Sequence, residues 1–478
     1  MSRLSAFVIS LSIFISCKAA NIDTNNVPVD KRSINVSEID NSLEASFVNV
    51  AAGQGISKNY RPAQNKAGSS EYRRDFNSDA DIRDRYGGMK VGMDIGYRRY
   101  NVFWSEFEGS GFVPRGNPNF SCPAGYVKFP VSQQQKQQMG FKSFHCYLKS
   151  HMDSFAKLIR SDFQHQMQTG VVVWSTPDIF REPNCAPEVY EGRALYSACF
   201  SRANAMDHYE DFIRFLNYHY GDTSPYGKMR ISHWIIWNEA GSKTWSNFTP
   251  KTNHSNSAAD IKYRVDRYAD MMRRSYRAIL KFQNNVMMYA STDPVWSPAA
   301  AASHKGHMSS ARLLDELWKR LGVSIDWSVA VHPYGDPFVP AAQGHYSFAN
   351  LDMVYNFQQS QLANRGLSTV NRPQTVLITS EQGWKKSTGD FQRAKNLCKA
   401  HDIALSSPYL LASAHVYFHR APSDLGDSYG LIDANIPYSL TGVTTNDIGK
   451  ALYSLHRKNF RKNNTNWCCV RSGIGCSQ

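Results

Sequence analysis

No internal stretch of this 478-residue chain stays apolar for the roughly 18 residues that a membrane-spanning helix needs, which excludes an internal span. No C-x2-C spacing occurs, so the cysteines do not read as a zinc cluster. No dense basic run or nucleic-acid motif accompanies the formal charge of +14. That charge reads as Lys and Arg scattered for solubility, and it permits an acidic partner without requiring one. No repeat of domain-building length is present, which excludes a solenoid or propeller. No G-x-G-x-x-G loop follows the first strand candidate, which argues against an open dinucleotide-binding sheet.

What is present begins at the N-terminus. Arg3 precedes an apolar core from Leu4 to Ile15, and small residues follow at Ala19 and Ala20. This is the layout of a secretory signal peptide, expected over 1–20. Residues 21–44 form a polar leader, a candidate propeptide with Lys31-Arg32 as a processing site. Five N-x-S/T sequons, at Asn35, Asn119, Asn247, Asn253 and Asn463, suit a secreted or cell-wall-associated glycoprotein. Once Cys17 leaves with the signal, eight cysteines remain, an even number that suggests disulfides. Proximity favours Cys122–Cys146 and Cys185–Cys199, and the neighbours Cys468 and Cys469 bridge more easily elsewhere than to each other.

Short apolar strand candidates alternate with helical patterns, the signature of βα units around a parallel sheet. The strands are Ser46–Val50, Arg98–Trp104, Gly170–Ser175, Ser232–Asn238, Val286–Ser291, Trp327–His332, Thr375–Glu381 and Ser413–Phe418. Between them, Asp207–Tyr220 places Tyr209, Phe212, Leu216 and Tyr220 at helical spacing, with Gly221 as a stop. Ile261–Phe282 carries Ile261, Val265, Tyr268, Met272, Tyr276 and Ile279 on one stripe. Eight alternating units predict a single α/β domain, a (β/α)8 TIM barrel over 45–455. A long loop insertion, 109–150, follows strand two and holds the run "SQQQKQQ". A basic, Cys-rich tail occupies 456–478 and is expected to be disulfide-bonded.

Active sites of such barrels gather at the C-terminal ends of the strands. Strand four, "WIIWNEAG", ends in Asn238-Glu239, and strand seven, "TVLITSEQGW", ends in Glu381. Strand six ends in "HPYG", with His332 and Tyr334. Strand two contains Arg99, and "ASAHVYFHR" on strand eight carries His415, Tyr417 and His419. Two carboxylates at one barrel mouth suit cleavage of a glycosidic bond, where one gives a proton to the leaving oxygen and the other attacks carbon or activates water. Trp174, Trp245 and Trp384 stand at or beyond strand ends, where a ring can stack on a sugar. Asp178 in "STPDIF" reads first as a loop cap and second as a substrate contact.

"WIIWNEA" and "ITSEQGW", with their glutamates 142 residues apart (381 − 239), resemble glycoside hydrolase clan A, the retaining (β/α)8 glycosidases. "HPYG", "SEQGW" and "VYFHRAPSD…GDSYGLID" are closest to a group of clan-A-like proteins known largely as domains of unknown function. The likeness covers roughly residues 45–455. It implies Glu239 as acid/base, Glu381 as nucleophile, and Asn238 on the sugar 2-hydroxyl. It places Arg99 and Tyr334 in the surroundings of the nucleophile. Many clan members end strand eight with tryptophan, whereas this chain has Tyr417 and His419, which leaves the sugar class open.

The expectation is a secreted, retaining O-glycosyl hydrolase acting on an oligo- or polysaccharide, an acidic glycan being among those the charge allows, with no cofactor, metal or nucleic-acid partner. The substrate-binding candidates are Asn238, Arg99, His332, Tyr334, Trp245, Trp384, Tyr417 and His419. Two rivals are a non-catalytic carbohydrate-binding wall or coat protein on the same barrel, and a metal-dependent barrel hydrolase using His332, His415 or His419.

Overall fold

In the computed structural model, the described residues are 67–71, 96–108, 112–181, 188–190, 193–195, 204–416 with short breaks, 447, 450–451 and 467–476. Eight parallel strands close a barrel. In chain order the barrel strands are Ala67–Glu71, Tyr97–Phe103, Gln168–Trp174, Ile231–Ile236, Met287–Thr292, Ser328–Val331, Leu377–Thr379 and Leu410–Val416. Strand one closes the ring by pairing on both sides, Ser69 opposite His415 of strand eight and opposite Arg98 of strand two.

Seven of these strands fall on the apolar runs read from the sequence. Strand one does not. Ser46–Val50 lies outside the described residues, and its expected place is taken by Ala67–Glu71. "AGSSE" has no apolar run to betray it. Its place is set by backbone hydrogen bonds to two neighbouring edges, which any side chain permits.

Strand two shows how period-two alternation serves the fold. Arg98 points outward to Asp162 at 2.9 Å, on the helix Lys149–Gln164. Arg99, one residue on, turns inward to the barrel mouth and is fully buried. The helix Ala205–Tyr220 buries Tyr209, Phe212, Leu216 and Tyr220 as expected. Gly221 caps it, but with extended rather than left-handed backbone. Its glycine is required by crowding instead, since a Cβ there would stand 2.3 Å from the Asn217 carbonyl oxygen.

The helix Ala258–Leu280 starts at Ser257, whose hydroxyl accepts from the Asp260 amide at 3.2 Å. It buries Val265, Tyr268, Met272, Tyr276 and Ile279, and Ile261 is partly buried. Tyr268 reaches from this helix to donate to the Ile236 carbonyl at 2.6 Å and accepts from the Ser291 amide at 3.3 Å. One phenol thereby ties the ends of strands four and five together.

Residues 112–148, expected as loop, hold an antiparallel pair of strands, Tyr126–Phe129 and His145–Leu148, with the helix Gln133–Met139 between them. The glutamine-rich run is that helix, capped by Ser132 and ended by left-handed Gly140. Cys122–Cys146 closes this segment. In the tail, the helix Trp467–Ser472 is bound to the helix Asp390–Ser406 through Cys398–Cys468, and Cys469 pairs with Cys476. Cys185 and Cys199 lie outside the described residues. Among the described residues no helix is long and apolar enough to cross a membrane.

Candidate active site

Strand four ends at Ile236, and the next residues leave it by an unusual route. Trp237 and Glu239 both have positive φ, 65° and 38°. Left-handed backbone at non-glycine residues costs on the order of 1–3 kcal/mol each and persists only where the surroundings impose it. Here the Glu239 amide donates to Ser291 Oγ at 3.1 Å and the Ala240 amide to the Ser291 carbonyl at 3.1 Å. Trp237 donates its amide to Val173 at 3.2 Å and its indole to the Trp245 carbonyl at 2.6 Å. The Glu239 side chain is thereby aimed across the mouth.

Strand seven delivers Glu381 opposite. Arg99 Nη2 stands 2.6 Å from Glu381 Oε1 and donates to Asn238 Oδ1 at 3.3 Å. One guanidinium thus links strands two, four and seven. Tyr334 donates to Glu381 Oε2 at 2.9 Å. His332 sits between the carboxylates, its Nδ1 2.7 Å from Glu239 Oε1 and 3.5 Å from Glu381 Oε2. Its Nε2 is 2.9 Å from Ser380 Oγ, which holds the ring in orientation. One oxygen of each glutamate and one nitrogen of His332 lie within 4.8 Å of one another.

The same surroundings treat the two carboxyls oppositely. Burial pushes Glu239 up, the His332 hydrogen bond and charge pull against it, and the charges of Asp293 and Glu381 add to the rise; the net shift is upward. Burial also pushes Glu381 up, but Arg99, His332 and Tyr334 outweigh it and hold this carboxyl below the ordinary glutamate value. One carboxyl therefore keeps its proton more readily and the other less.

Glu239, His332 and Glu381 are near enough to share a cation, but their partners disfavour one. Arg99 already pairs with one Glu381 oxygen and places its own charge there, and Tyr334 donates to the other. His145, His208 and Asp211 form a second close group, all three buried. There Asp211 already takes the Lys142 and Ser143 amides and Arg214.

Of the residues expected at the site, Arg99, Asn238, Glu239, His332, Tyr334 and Glu381 come together. Trp384 is only 5% exposed, and its indole donates to the Gly335 carbonyl at 2.6 Å, so it braces the Tyr334 loop and offers little face to a sugar. Trp174 is likewise buried, bonded to Asn101 at 3.0 Å, while Trp245 is partly exposed and meets Trp174 edge-on. Asp178 is exposed and pairs with Arg181. Tyr417, His419 and the His415 side chain lie outside the described residues. Ser291, Ser380, Asp293 and His307 were not singled out. "YASTDP" drops from an apolar run to Asp293 much as "WIIWNE" drops to Glu239, and that was the available signal.

Among solved structures the chain resembles a family 39 glycoside hydrolase from the gut symbiont Bacteroides cellulosilyticus WH2, at 11% identity and TM-score 0.48, over 82% of this chain and 63% of that one. It thus spans less than two thirds of that protein. It also resembles a monomeric beta-xylosidase from Caulobacter crescentus CB15, at 12% identity and TM-score 0.48, over 83% and 70% of the two chains. A beta-glycosidase from the hyperthermophile Thermosphaera aggregans is similar at 11% identity and TM-score 0.47, over 80% and 85%. No curated protein matches the chain. The family model that matches spans residues 132–394, more than half of the sequence, and the chain belongs to that family, a family of unknown function (DUF5722).

Proposed function

We propose that this chain is a secreted, retaining glycoside hydrolase acting on an oligo- or polysaccharide. The observation that carries the reading is the carboxyl pair at the barrel mouth, with oxygens within 4.8 Å and proton affinities driven apart. Retaining enzymes hold their carboxyls about 5–5.5 Å apart, whereas inverting ones need about 6.5–9.5 Å to admit a water.

In the first step a Glu381 oxygen attacks the anomeric carbon. The bond to the leaving oxygen breaks as Glu239 gives that oxygen its proton. In the second step Glu239 takes a proton from water, the water oxygen attacks the same carbon, and the bond to Glu381 breaks. Two inversions give net retention. Asn238 is placed for the neighbouring sugar hydroxyl, and Arg99 and Tyr334 keep Glu381 ionised between turnovers. Trp245, Tyr417 and His419 remain candidates for the sugar rings. The described disulfides suit an oxidising, extracellular setting.

A glycan panel screened for turnover tests the proposal, with the anomer of the first product read by NMR. Glu239→Gln is expected to lower turnover by about 10²–10⁴-fold, and Glu381→Ala to abolish it, both with far-UV circular dichroism unchanged. Undiminished turnover in both variants sinks the assignment. Binding without turnover by the wild type favours a carbohydrate-binding wall protein instead.

A further inference from the structure

Strand five supplies no reacting group to the mechanism above, yet its end is as polar and as buried as that of strand four. Asp293 follows Thr292 directly and is 3% exposed. Its Oδ1 accepts from the Val295 amide at 2.9 Å and from Ser310 Oγ at 3.3 Å, and its Oδ2 lies 2.5 Å from His307 Nε2. A carboxylate and an imidazole thus form a tight pair beside the strand-four loop.

That pair is built into the support of Glu239. Ser291, two residues before Asp293, carries the Glu239 amide on its hydroxyl. On the other side, Arg264 is buried and donates to the Gly241 carbonyl at 3.1 Å and the Gly306 carbonyl at 3.0 Å. The Met308 amide donates to Gly241 at 2.9 Å. Residues 306 and 308 are therefore locked to the loop that holds Glu239, and His307 is carried between them. Gly241 permits the closeness, since a Cβ there would stand 2.6 Å from the Met308 carbonyl oxygen.

We propose that Asp293 and His307 act as positioning residues, a charge pair packed against the loop that carries Glu239 and acting on that glutamate across it. The roles assigned to Glu239 and Glu381 are taken from the reading above. Asp293 alone favours the protonated glutamate, and its imidazole partner moderates that effect when charged. Among the described residues, Glu239 is also faced by His332 from strand six and Glu381 from strand seven, with Arg99 of strand two behind Glu381. His307 faces Asp293, Glu239 and Arg264, and the two carboxylates favour its charged form against burial and Arg264.

The pair has no required contact with substrate, so the resting protein reports on it. Carbon-13 NMR of protein labelled at the glutamate carboxyls reads the Glu239 titration, with Glu239→Gln assigning the signal. Asp293→Asn removes a negative neighbour and is expected to move the Glu239 midpoint to lower pH. His307→Gln leaves Asp293 uncompensated and is expected to move it to higher pH. Midpoints that stay put, or that move the same way, overturn the pairing. Should Asp293→Asn fail to fold, His307→Gln decides alone, because its ring is partly exposed and no shift there overturns the proposal. On any glycan that is turned over, the basic limb of the pH–rate profile is expected to follow the same two directions. Shifted midpoints in a protein without turnover would sink the catalytic reading and leave the pair standing. Unshifted midpoints with turnover intact would sink the pair alone.

Discussion

At the scale of single residues, Glu239 and Glu381 differ less in burial than in company. Glu381 has a guanidinium and a phenol; Glu239 has an imidazole and two nearby carboxylates. Activity is accordingly expected to be bell-shaped in pH. The acidic limb, where Glu381 protonates, falls below the ordinary glutamate value of 4.5, and the basic limb, where Glu239 ionises, falls above it. Tyr334→Phe removes one donor from Glu381 without touching the barrel. A hydrogen bond to a charged group is worth about 1.5–3 kcal/mol, so kcat/KM on the acidic side is expected to fall about tenfold to a hundredfold. The sharper check is the limb itself, which moves to higher pH in this variant. A fall that is uniform across pH would mean that Tyr334 serves substrate binding instead.

At the scale of elements, the segment after strand two is joined to the barrel by a buried charged cluster. His145 lies between Glu108 and Asp211, with Asp211 at 3.1 Å. Trp104 donates to Glu108, Arg214 pairs with Asp211, Tyr147 stacks on the imidazole, and His208 sits edge-on to it. Burial works against a charged His145, but Glu108 and Asp211 prevail and raise its pKa to about 9. His208 is left neutral beside it, lowered to about 4 by burial and by that charge. The sign follows from linkage. A histidine raised from 6.5 to about 9 stabilises the fold fully below pH 6.5 and loses that contribution as pH rises through about 9. At about 1.4 kcal/mol per unit the His145 charge contributes on the order of 3 kcal/mol, and His208, lowered to about 4, works against it as pH falls below 6.5. Urea unfolding of His145→Gln against wild type is expected to show its widest gap near pH 6.5 and a narrowing gap as pH rises towards 9. A gap independent of pH would make the ring a packing residue only.

At the scale of the whole molecule, the tail is tied to the barrel through Cys398–Cys468, which closes 70 residues of chain, whereas Cys469–Cys476 closes 7. Restricting the unfolded chain stabilises more for the longer loop. Replacing Cys398 and Cys468 by serine is expected to cost about 4 kcal/mol, and replacing Cys469 and Cys476 about 2 kcal/mol. Denaturant midpoints of the two double variants check the order, and equal losses would place the stabilisation in native packing rather than chain entropy.

Much of the barrel could be read along the chain because its strands are apolar runs that end abruptly in polar residues. "WIIWNE" and "LITSE" announce both a strand and what it delivers. Cys122–Cys146 followed from proximity alone. Strand one could not be read this way, because "AGSSE" is held by the backbone of its neighbours and has no side-chain signal. The helix in the glutamine-rich run depends on a serine cap and a left-handed glycine, signals that composition hides. The sequence by itself determined which carboxylates, amide, guanidinium and phenol arrive at strand ends. Only the closed ring decided that residues 142 apart (381 − 239) come within 4.8 Å, that Arg99 pairs with Glu381, and that Asp293 and His307 pair next to the loop that holds Glu239. Local patterning fixes which face a side chain takes, but charge acts through space, and distances across the mouth exist only once the barrel has closed.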